Sequence, residues 1–208
     1  MAIRDRNIDW QRKSHFIYPN AFIGAVASTA LVSGDTGAMA IVELDTLGWG
    51  GLGAGQAADK AQAIDFNVVR EADPTKEIGV RIHWVVDAAT GIATDDAVHY
   101  VVHYQQLDHG AVIAASSTVL NTPIAAQSPA ATTDKRFYRT SRGIINANTL
   151  DFTARAGVML WEINIGTFTG FEANEPIILG LEIDYMPLLC MNSEEDTPGA
   201  RNEDLAVA

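Results

Sequence analysis

Hydrophobic and polar side chains alternate along several stretches of this chain with the two-residue period of a β-strand. Residues 177–185 divide into two sets on opposite faces. The first set is Ile177, Leu179, Leu181, Ile183 and Tyr185, and the second is Ile178, Gly180, Glu182 and Asp184. The same period returns at 64–68, 78–86, 98–104 and 157–165. Five such stretches predict antiparallel sheets that each turn one face to a core.

Turn-forming residues separate these predicted strands at fairly regular intervals. Examples are Asp73-Pro74, Asp108-His109-Gly110 and Glu175-Pro176. Short strands at such spacing favour a sandwich or a barrel over alternating helix and strand units. We therefore predict an all-β fold with an antiparallel β-sandwich of about eight strands.

Composition along the chain predicts four segments. They are an N-terminal arm (1–20), a β-hairpin with a glycine-rich loop (21–59), the β-sandwich (60–190) and an acidic flexible tail (191–208). The hairpin joins 21–32 to 38–43, and the glycine-rich loop covers 47–59, with a short helical turn possible after it. The arm is polar and mixed in charge, and we expect it to become ordered on a partner surface. The tail has few apolar side chains and is expected to be mobile or wrapped on a neighbour.

Charge and cysteine content exclude several classes of protein. The chain of 208 residues has a formal net charge of −12, which repels phosphate backbones and anionic membranes. The single cysteine, Cys190, excludes an intrachain disulfide framework and a multi-cysteine zinc site. No apolar run reaches the length of a membrane helix. We expect no nucleic acid, no membrane and no cofactor as partners.

Candidate metal ligands are three histidines on the outward sides of their predicted strands. His99 and His103 share one strand face, and His83 lies on another strand. Positions four apart in a strand are about 13 Å apart, which is too far for one ion. Solvent-exposed or interface histidines are therefore the main interpretation, and a metal site is the alternative.

Two further patterns suggest chemistry only weakly. Glu182 and Asp184 are about 6.6 Å apart by strand rise, a spacing that a catalytic carboxylate pair can have. Any half-exposed strand gives the same spacing. Gly48, Gly50 and Gly53 satisfy G-x-G-x-x-G, but no β-α-β unit surrounds them. The sequence therefore predicts that the protein is not an enzyme.

Aromatic side chains divide between core and surface by the same periodicity. Those on inward positions are Trp84, Tyr100, Tyr104, Phe152, Trp161 and Tyr185. Those expected in loops or arms, and therefore available to a partner, are Trp10, Tyr18, Trp49, Phe168 and Phe171. Three apolar residues, Val85, Leu160 and Ile178, point away from the core by parity, which favours coverage by copies of the chain or by a larger assembly.

The order of strands between 60 and 188 resembles the jelly-roll domains of bacteriophage virion proteins, such as head decoration or cement proteins and related fibre or hub modules. The segments that carry the resemblance are 73–84, 98–104, 110–112 and 177–185. The resemblance implies a jelly-roll sandwich in a non-enzymatic structural subunit. The implied subunit is a homotrimer that contacts the major capsid protein or other virion proteins, in a particle assembled in the host cytoplasm.

Two other functions remain open from the sequence. Sandwiches of this kind also display loop aromatics to sugars, which gives a glycan-binding adhesion module of a virion fibre or a cell surface. A cupin-like metalloenzyme that uses His83, His99 or His103 is the third alternative, although the His-x-His pattern of cupins is absent.

Overall fold

Two β-sheets make up most of the computed structural model, which describes residues 12–24, 37–43, 50–53, 55, 59–86, 96–113, 117–128, 136–150, 157–171 and 176–188. The first sheet contains β1 (Lys13–Ile17), β4 (Ala40–Glu43), β5 (Gly50–Gly53), β7 (Ile78–Val86), β10 (Phe137–Arg139), β11 (Gly143–Ile145) and β13 (Pro176–Tyr185). The second contains β2 (Ile23–Gly24), β3 (Gly37–Ala38), β6 (Asp59–Asp65), β8 (Ala97–Leu107), β9 (Thr118–Val119) and β12 (Val158–Thr169). A 3₁₀ turn (Pro19–Ala21) and one helix, α1 (Asn67–Glu71), complete the described elements.

The strand order is that of a jelly roll. The first sheet runs β5-β13-β7-β10, with β11 following β10 along the same edge of β7, and the second runs β6-β12-β8-β9. The chain passes between the sheets from β5 to β6, β7 and β8, and again from β11 to β12 and β13. Two such four-stranded layers, with β10 and β11 counted together, are the eight strands of a jelly roll. The predicted all-β jelly-roll sandwich is confirmed.

The core lies between the two sheets, on the side that the alternation predicts. Along β7, five alternating side chains are at most 1% exposed: Ile78, Val80, Ile82, Trp84 and Val86. The Trp84 ring stacks on Tyr138, with centroids 4.8 Å apart, and meets Tyr100 of the opposite sheet edge-on at 5.8 Å. Each large apolar side chain contributes roughly 1.5–3 kcal/mol when it is fully buried. Phe152, also predicted to point inward, lies outside the described residues.

The strand predicted at 64–68 is wrong beyond residue 65. The Oδ1 atom of Asp65 accepts a hydrogen bond of 2.8 Å from the backbone N–H of Asn67, and α1 begins there. An aspartate that binds the backbone two residues ahead competes with strand pairing. Val68 and Val69, which a strand would place on opposite faces, are both fully buried on the helix.

A β-bulge reverses the predicted parity at the start of β13. Ile178 pairs with Trp84, but Gly180 pairs with the next residue of β7, His83, so Leu179 is an extra residue. Ile178 therefore lies in the core, contrary to prediction, while Leu179 lines the outer surface. One inserted residue moves the preceding side chains to the other face of a sheet.

Val85 and Leu160 lie outside the core cluster, as their parity predicts, yet they are only 6% and 3% exposed. This chain covers both side chains by itself. Their apolar character therefore gives no support to coverage by a neighbouring molecule.

The segments before residue 60 join both sheets. Lys13–Ile17, within the predicted arm, is strand β1 and pairs with β13. Ile23–Gly24 pairs with β6, whereas Ala40–Glu43 pairs with β5, so the described parts of the predicted hairpin pair elsewhere. Gly50–Gly53, predicted as loop, is a strand between β4 and β13. Residues 1–11 and the predicted acidic tail lie outside the described part of the chain.

Candidate functional site

The outward face of the first sheet gathers charged side chains from five segments of the chain, which we call the ion network. Its members are Arg12, Glu77, Arg81, His83, Arg139, Arg142, Glu182 and Asp184. Strands β7 and β13 are neighbours in the sheet, so their outward residues meet in register, with Arg81 opposite Glu182. The remaining cations are Arg12, just before β1, Arg139 in β10 and Arg142, just before β11.

Asp184 is the centre of one half of the ion network. Arg142 binds its carboxylate with two donors, Nε at 3.0 Å and Nη2 at 2.8 Å. Arg12 adds a bond of 2.6 Å from Nε, and Arg81 adds one of 3.1 Å from Nη1. Gly79 makes this possible, because a Cβ atom there would overlap both Arg142 and Asp184. A paired arginine fork is stronger and more directional than a single charged contact.

Glu182 is the centre of the other half. Its Oε2 atom lies 2.7 Å from Nη2 of Arg139 and 2.7 Å from Nε2 of His83. The hydroxyl of Ser14 donates to Oε1 at 3.2 Å. Ser14 lies opposite Asp184 in the pairing of β1 with β13, so the ion network also holds β1 against the sheet.

The pKa shifts of Asp184, Glu182 and Arg142 favour the charged forms, whereas burial lowers the pKa of Arg81. Burial by itself raises the pKa of Asp184, but hydrogen bonds and positive charge from Arg142 and Arg12 outweigh burial and lower it below its ordinary value. Burial also opposes ionisation of Glu182, and the contacts with His83 and Arg139 again lower the pKa overall. The hydrogen bond to Asp184 raises the pKa of the Arg142 guanidinium. Asp184, Glu182 and Arg142 are therefore ionised at neutral pH.

These contacts change the interpretation of Glu182 and Asp184 as a possible catalytic pair. Both carboxylates accept several short bonds from fixed cations, and both have lowered pKa values, so neither is prepared to take or give a proton near neutrality. The arrangement is suited to holding strands together and to presenting guanidinium groups on a surface.

Beside the ion network lies an open apolar depression of about 600 Å³, which we call the aromatic hollow. Its lining residues are Phe16, Tyr18, Pro19, Asn20, Gly50, His83, Phe137 and Leu179. Phe16 lies 5.0 Å from the ring of Tyr18 and 5.1 Å from that of His83, and His83 lies 5.6 Å from Phe137. The side of His83 that is not bound to Glu182 therefore belongs to an aromatic cluster.

Two local features of β13 create the aromatic hollow. The bulge turns Leu179 outward, where it becomes part of the lining. Gly180 has a φ of +154°, and a Cβ atom there would overlap the ring of Phe16. Without that Cβ, Phe16 lies directly on the sheet and forms one wall of the hollow.

A second depression, which we call the side hollow, lies on the other side of Phe16 and Tyr18. It measures about 440 Å³ and includes Phe66, Asp65, Asn67, Arg70 and His15 in its lining. His15 Nε2 lies 3.4 Å from Oδ1 of Asp65, and the guanidinium of Arg70 lies 5.8 Å from the centre of the Phe66 ring. Tyr18 therefore stands as a ridge between two hollows.

Of the five residues predicted to contact a partner, one is exposed, two pack in or against the core, and two lie outside the described residues. Tyr18 is 62% exposed and lines both hollows. Phe168 packs against the core, and Phe171 is 7% exposed, with its ring edge towards Trp84 at 6.3 Å. Trp10 and Trp49 lie outside the described residues.

Sequence reasoning missed Phe16 and Phe137 as surface aromatics. Phe16 was hidden in a segment predicted to be a polar arm, although Ser14 and Phe16 alternate with His15 and Ile17 as in a strand. The alternation of Phe137 and Arg139 about Tyr138 carried a similar signal.

The three histidines considered as metal ligands do not meet. His83 belongs to the first sheet, whereas His99 and His103 belong to the second. His99 Nε2 lies 2.9 Å from the carbonyl oxygen of Ile124, and His103 Nδ1 lies 3.1 Å from the Ser117 hydroxyl. Among the described residues, no group of three His, Cys, Asp or Glu side chains is arranged to hold a metal ion.

No helix within the described part of the chain is long and apolar enough to cross a membrane. Comparison with models of known protein families, and with curated proteins, gave no match. A functional conclusion therefore depends on the geometry of the outer face of the first sheet.

Proposed function

We propose that this chain is a structural subunit of a virion, specifically a capsid decoration or cement protein of a bacteriophage that stabilises the shell through subunit contacts. The observation that carries the proposal is the outer face of the first sheet. There, a preformed apolar hollow lies next to arginines whose positions are fixed by carboxylates. An apolar centre with a polar rim is the anatomy of a protein interface.

The jelly-roll order of the strands supports the same proposal. A jelly roll is the fold that the resemblance of residues 60–188 to phage virion domains implies, although its first strand, Gly50–Gly53, lies before that range. Because one fold serves many functions, the fold counts only together with the surface it displays.

Charge indicates which component of a particle the chain contacts. A net charge of −12 opposes contact with packaged nucleic acid, so a coat or neighbouring virion protein is the partner that we propose. The charge of the ion network has the opposite sign to that of the whole chain. It holds four arginines and three carboxylates, a formal balance of +1 before any proton on His83.

The test of this function is the composition of purified particles. We expect quantitative mass spectrometry of particles from producing cells to find the chain at a fixed copy number relative to the coat protein. Particles made without it should release their nucleic acid at a lower temperature. Absence of the chain from washed particles, with unchanged particle stability, would contradict the proposal.

The side hollow favours a second candidate function, glycan binding. It combines the exposed ring of Phe66 with the exposed amide side chain of Asn67. Sugars bind where an aromatic face lies next to groups that donate and accept hydrogen bonds, such as an amide. Saturable binding on a glycan array that is lost in Phe66→Ser and kept in Phe137→Ser would assign adhesion to the side hollow.

A further inference from the structure

Several hydrogen-bonding atoms of the aromatic core lack partners. In the described part of the chain, seven buried side-chain nitrogen or oxygen atoms have no hydrogen-bond partner, and five of them belong to tyrosines and tryptophans in or against the core. The five are the hydroxyls of Tyr100, Tyr104 and Tyr138 and the Nε1 atoms of Trp84 and Trp161. Native proteins leave few buried polar groups unpaired, because each one costs the free energy of removing it from water. Such a concentration indicates an occupant that supplies the missing hydrogen bonds.

Three of the five atoms lie on rings that contact one another, which we call the aromatic trio. The Trp84 ring stacks on Tyr138 with centroids 4.8 Å apart and meets Tyr100 at 5.8 Å. Trp84 and Tyr138 belong to the first sheet, whereas Tyr100 belongs to the second. The aromatic trio therefore brings unpaired polar atoms from both sheets to one part of the core.

Both sheets carry a β-bulge beside the aromatic trio. Leu179 is the extra residue of β13, next to the residue that pairs with Trp84. Gly166 is the extra residue of β12, next to the residue that pairs with Tyr100. A bulge bends its strand and interrupts the hydrogen-bond ladder, and bulges are over-represented next to functional sites. The regular pairing of both sheets is thus interrupted at the level of the aromatic trio.

The chemistry of the three polar groups identifies the occupant. An indole N–H only donates a hydrogen bond, whereas a phenol hydroxyl both donates and accepts. Burial raises the pKa of Tyr100 well above its ordinary value, so its hydroxyl keeps its proton. Three neutral groups cannot balance the charge of a buried ion, which makes an ion unfavourable. A water molecule can accept from Trp84 and bond to both hydroxyls, and about three hydrogen bonds are usual for a buried water.

We propose that an internal water molecule is bound by Nε1 of Trp84 and the hydroxyls of Tyr100 and Tyr138, and that it links the two sheets as a fixed part of the core. Strands β7 and β10 hold it from the first sheet, and β8 holds it from the second. This water site lies inside the sandwich, so it is independent of the function proposed for the outer face.

Oxygen-17 relaxation dispersion of water, measured on the purified full chain, counts water molecules that stay bound for longer than the protein takes to tumble. The wild type is expected to hold at least one such molecule per chain. Tyr100→Phe/Tyr138→Phe leaves a single partner, whereas a buried water needs at least about two, so the dispersion amplitude should fall by about one water per chain. Tyr185→Phe is the matched control, because its hydroxyl already donates to Oε2 of Glu71 at 2.9 Å, and its amplitude should equal that of the wild type.

The indole N–H of Trp84 gives a second readout in the chain labelled with nitrogen-15. Its proton resonance should shift upfield in Tyr100→Phe/Tyr138→Phe, because the acceptor is lost, and should keep its position in Tyr185→Phe. A wild type without long-lived water would overturn the proposal, even if the double variant did not fold. So would an unchanged dispersion amplitude, or an unchanged Trp84 resonance, in a folded double variant.

Discussion

Both sheets carry charged side chains on their outward faces, but these side chains are partly exposed on the first sheet and buried on the second. On the first sheet, the ion network remains partly open, with the Arg139 side chain 46% exposed beside the aromatic hollow. On the second sheet, the outward residues Lys60 and Glu162 are 0% and 3% exposed. Their Nζ and Oε2 atoms lie 3.8 Å apart.

Glu162 has a full set of partners within the second sheet. The Nε2 atom of Gln62 donates to its Oε2 at 2.5 Å, and the Nδ2 atom of Asn164 donates to its Oε1 at 3.0 Å. His103 lies opposite Glu162 on β8, and burial lowers the pKa of its imidazole. The second sheet therefore uses outward charge for internal cohesion, whereas the first leaves part of its outward charge exposed to solvent.

The largest loss of stability is expected when the buried carboxylate of Glu162 is removed. Glu162→Ala removes the carboxylate that Lys60, Gln62 and Asn164 contact, and we expect the free energy of unfolding to fall by about 3 kcal/mol or more. Urea denaturation measures this loss. Glu77→Ala, at a side chain 46% exposed on the first sheet, is the comparison and should lose no more than about 1 kcal/mol. Equal losses would remove the distinction between the two faces.

A smaller loss of stability is expected when Asp184, at the centre of one half of the ion network, is replaced. Asp184→Asn keeps the shape of the side chain but leaves the guanidiniums of Arg12, Arg81 and Arg142 without their shared carboxylate. We expect destabilisation by about 2 kcal/mol, because the site is only partly shielded from water. Thermal unfolding of the two proteins in parallel gives the difference. An unchanged midpoint would show that the network contributes nothing to the fold.

Gly180→Ala is expected to lower the free energy of unfolding by about 1–2 kcal/mol. The new Cβ atom would press against the ring of Phe16, and the alanine would have to adopt a φ of +154°. Because Phe16 forms a wall of the aromatic hollow, this variant should also weaken binding to the particle. Gly110→Ala, whose φ is +83° and whose Cβ would meet no atom within 4 Å, separates the backbone cost from the clash. The matched variant should leave particle binding intact.

The pH dependence of stability should differ between the wild type and Asp184→Asn. The folded pKa values of Asp184 and Glu182 are lowered, so their stabilisation is complete above the unfolded values near 4. It is lost as the pH falls through the folded values, because the unfolded state takes up protons first. Urea midpoints between about pH 5 and 2 should therefore fall less steeply in the variant. Parallel slopes would contradict the assignment.

The smallest loss of stability is expected from the two substitutions that should weaken assembly most. Phe137→Glu and Tyr18→Ser alter exposed side chains, so the free energy of unfolding of the monomer should change by no more than about 0.5 kcal/mol. Circular dichroism melts of the isolated chain measure this. A loss of several kcal/mol would mean that the two rings support the fold, and would weaken their assignment to an interface.

The alternation predicted much of the fold because it is a local signal. Strand β7 begins and ends where the pattern at 78–86 does, and Trp84 points inward as predicted. The bulge at Leu179 has a weak local signal that the sequence prediction did not use, because Ile177, Ile178 and Leu179 are all apolar and Gly180 lies inside the strand. Its position is fixed only by the pairing of β13 with β7, about 100 residues earlier in the chain.

The candidate site was harder to predict than the fold for the same reason. Glu182 and Asp184 stood out by spacing, but their partners come from Arg12, Arg139 and Arg142, which only the sheet order brings together. The aromatic hollow likewise needs Phe16 and Phe137 to flank His83 from the edges of one sheet. Such convergence depends on tertiary register, which one sequence does not reveal.

Hydroxyl-radical footprinting tests most directly whether the first sheet carries the interface and the second does not. Labelling would be compared between the isolated chain at low concentration and purified particles. The account predicts that oxidation of Tyr18 and Phe137 falls severalfold on assembly, while Val119 on the second sheet keeps its monomer rate. Unchanged labelling of Tyr18 and Phe137, with protection on the second sheet, would contradict it.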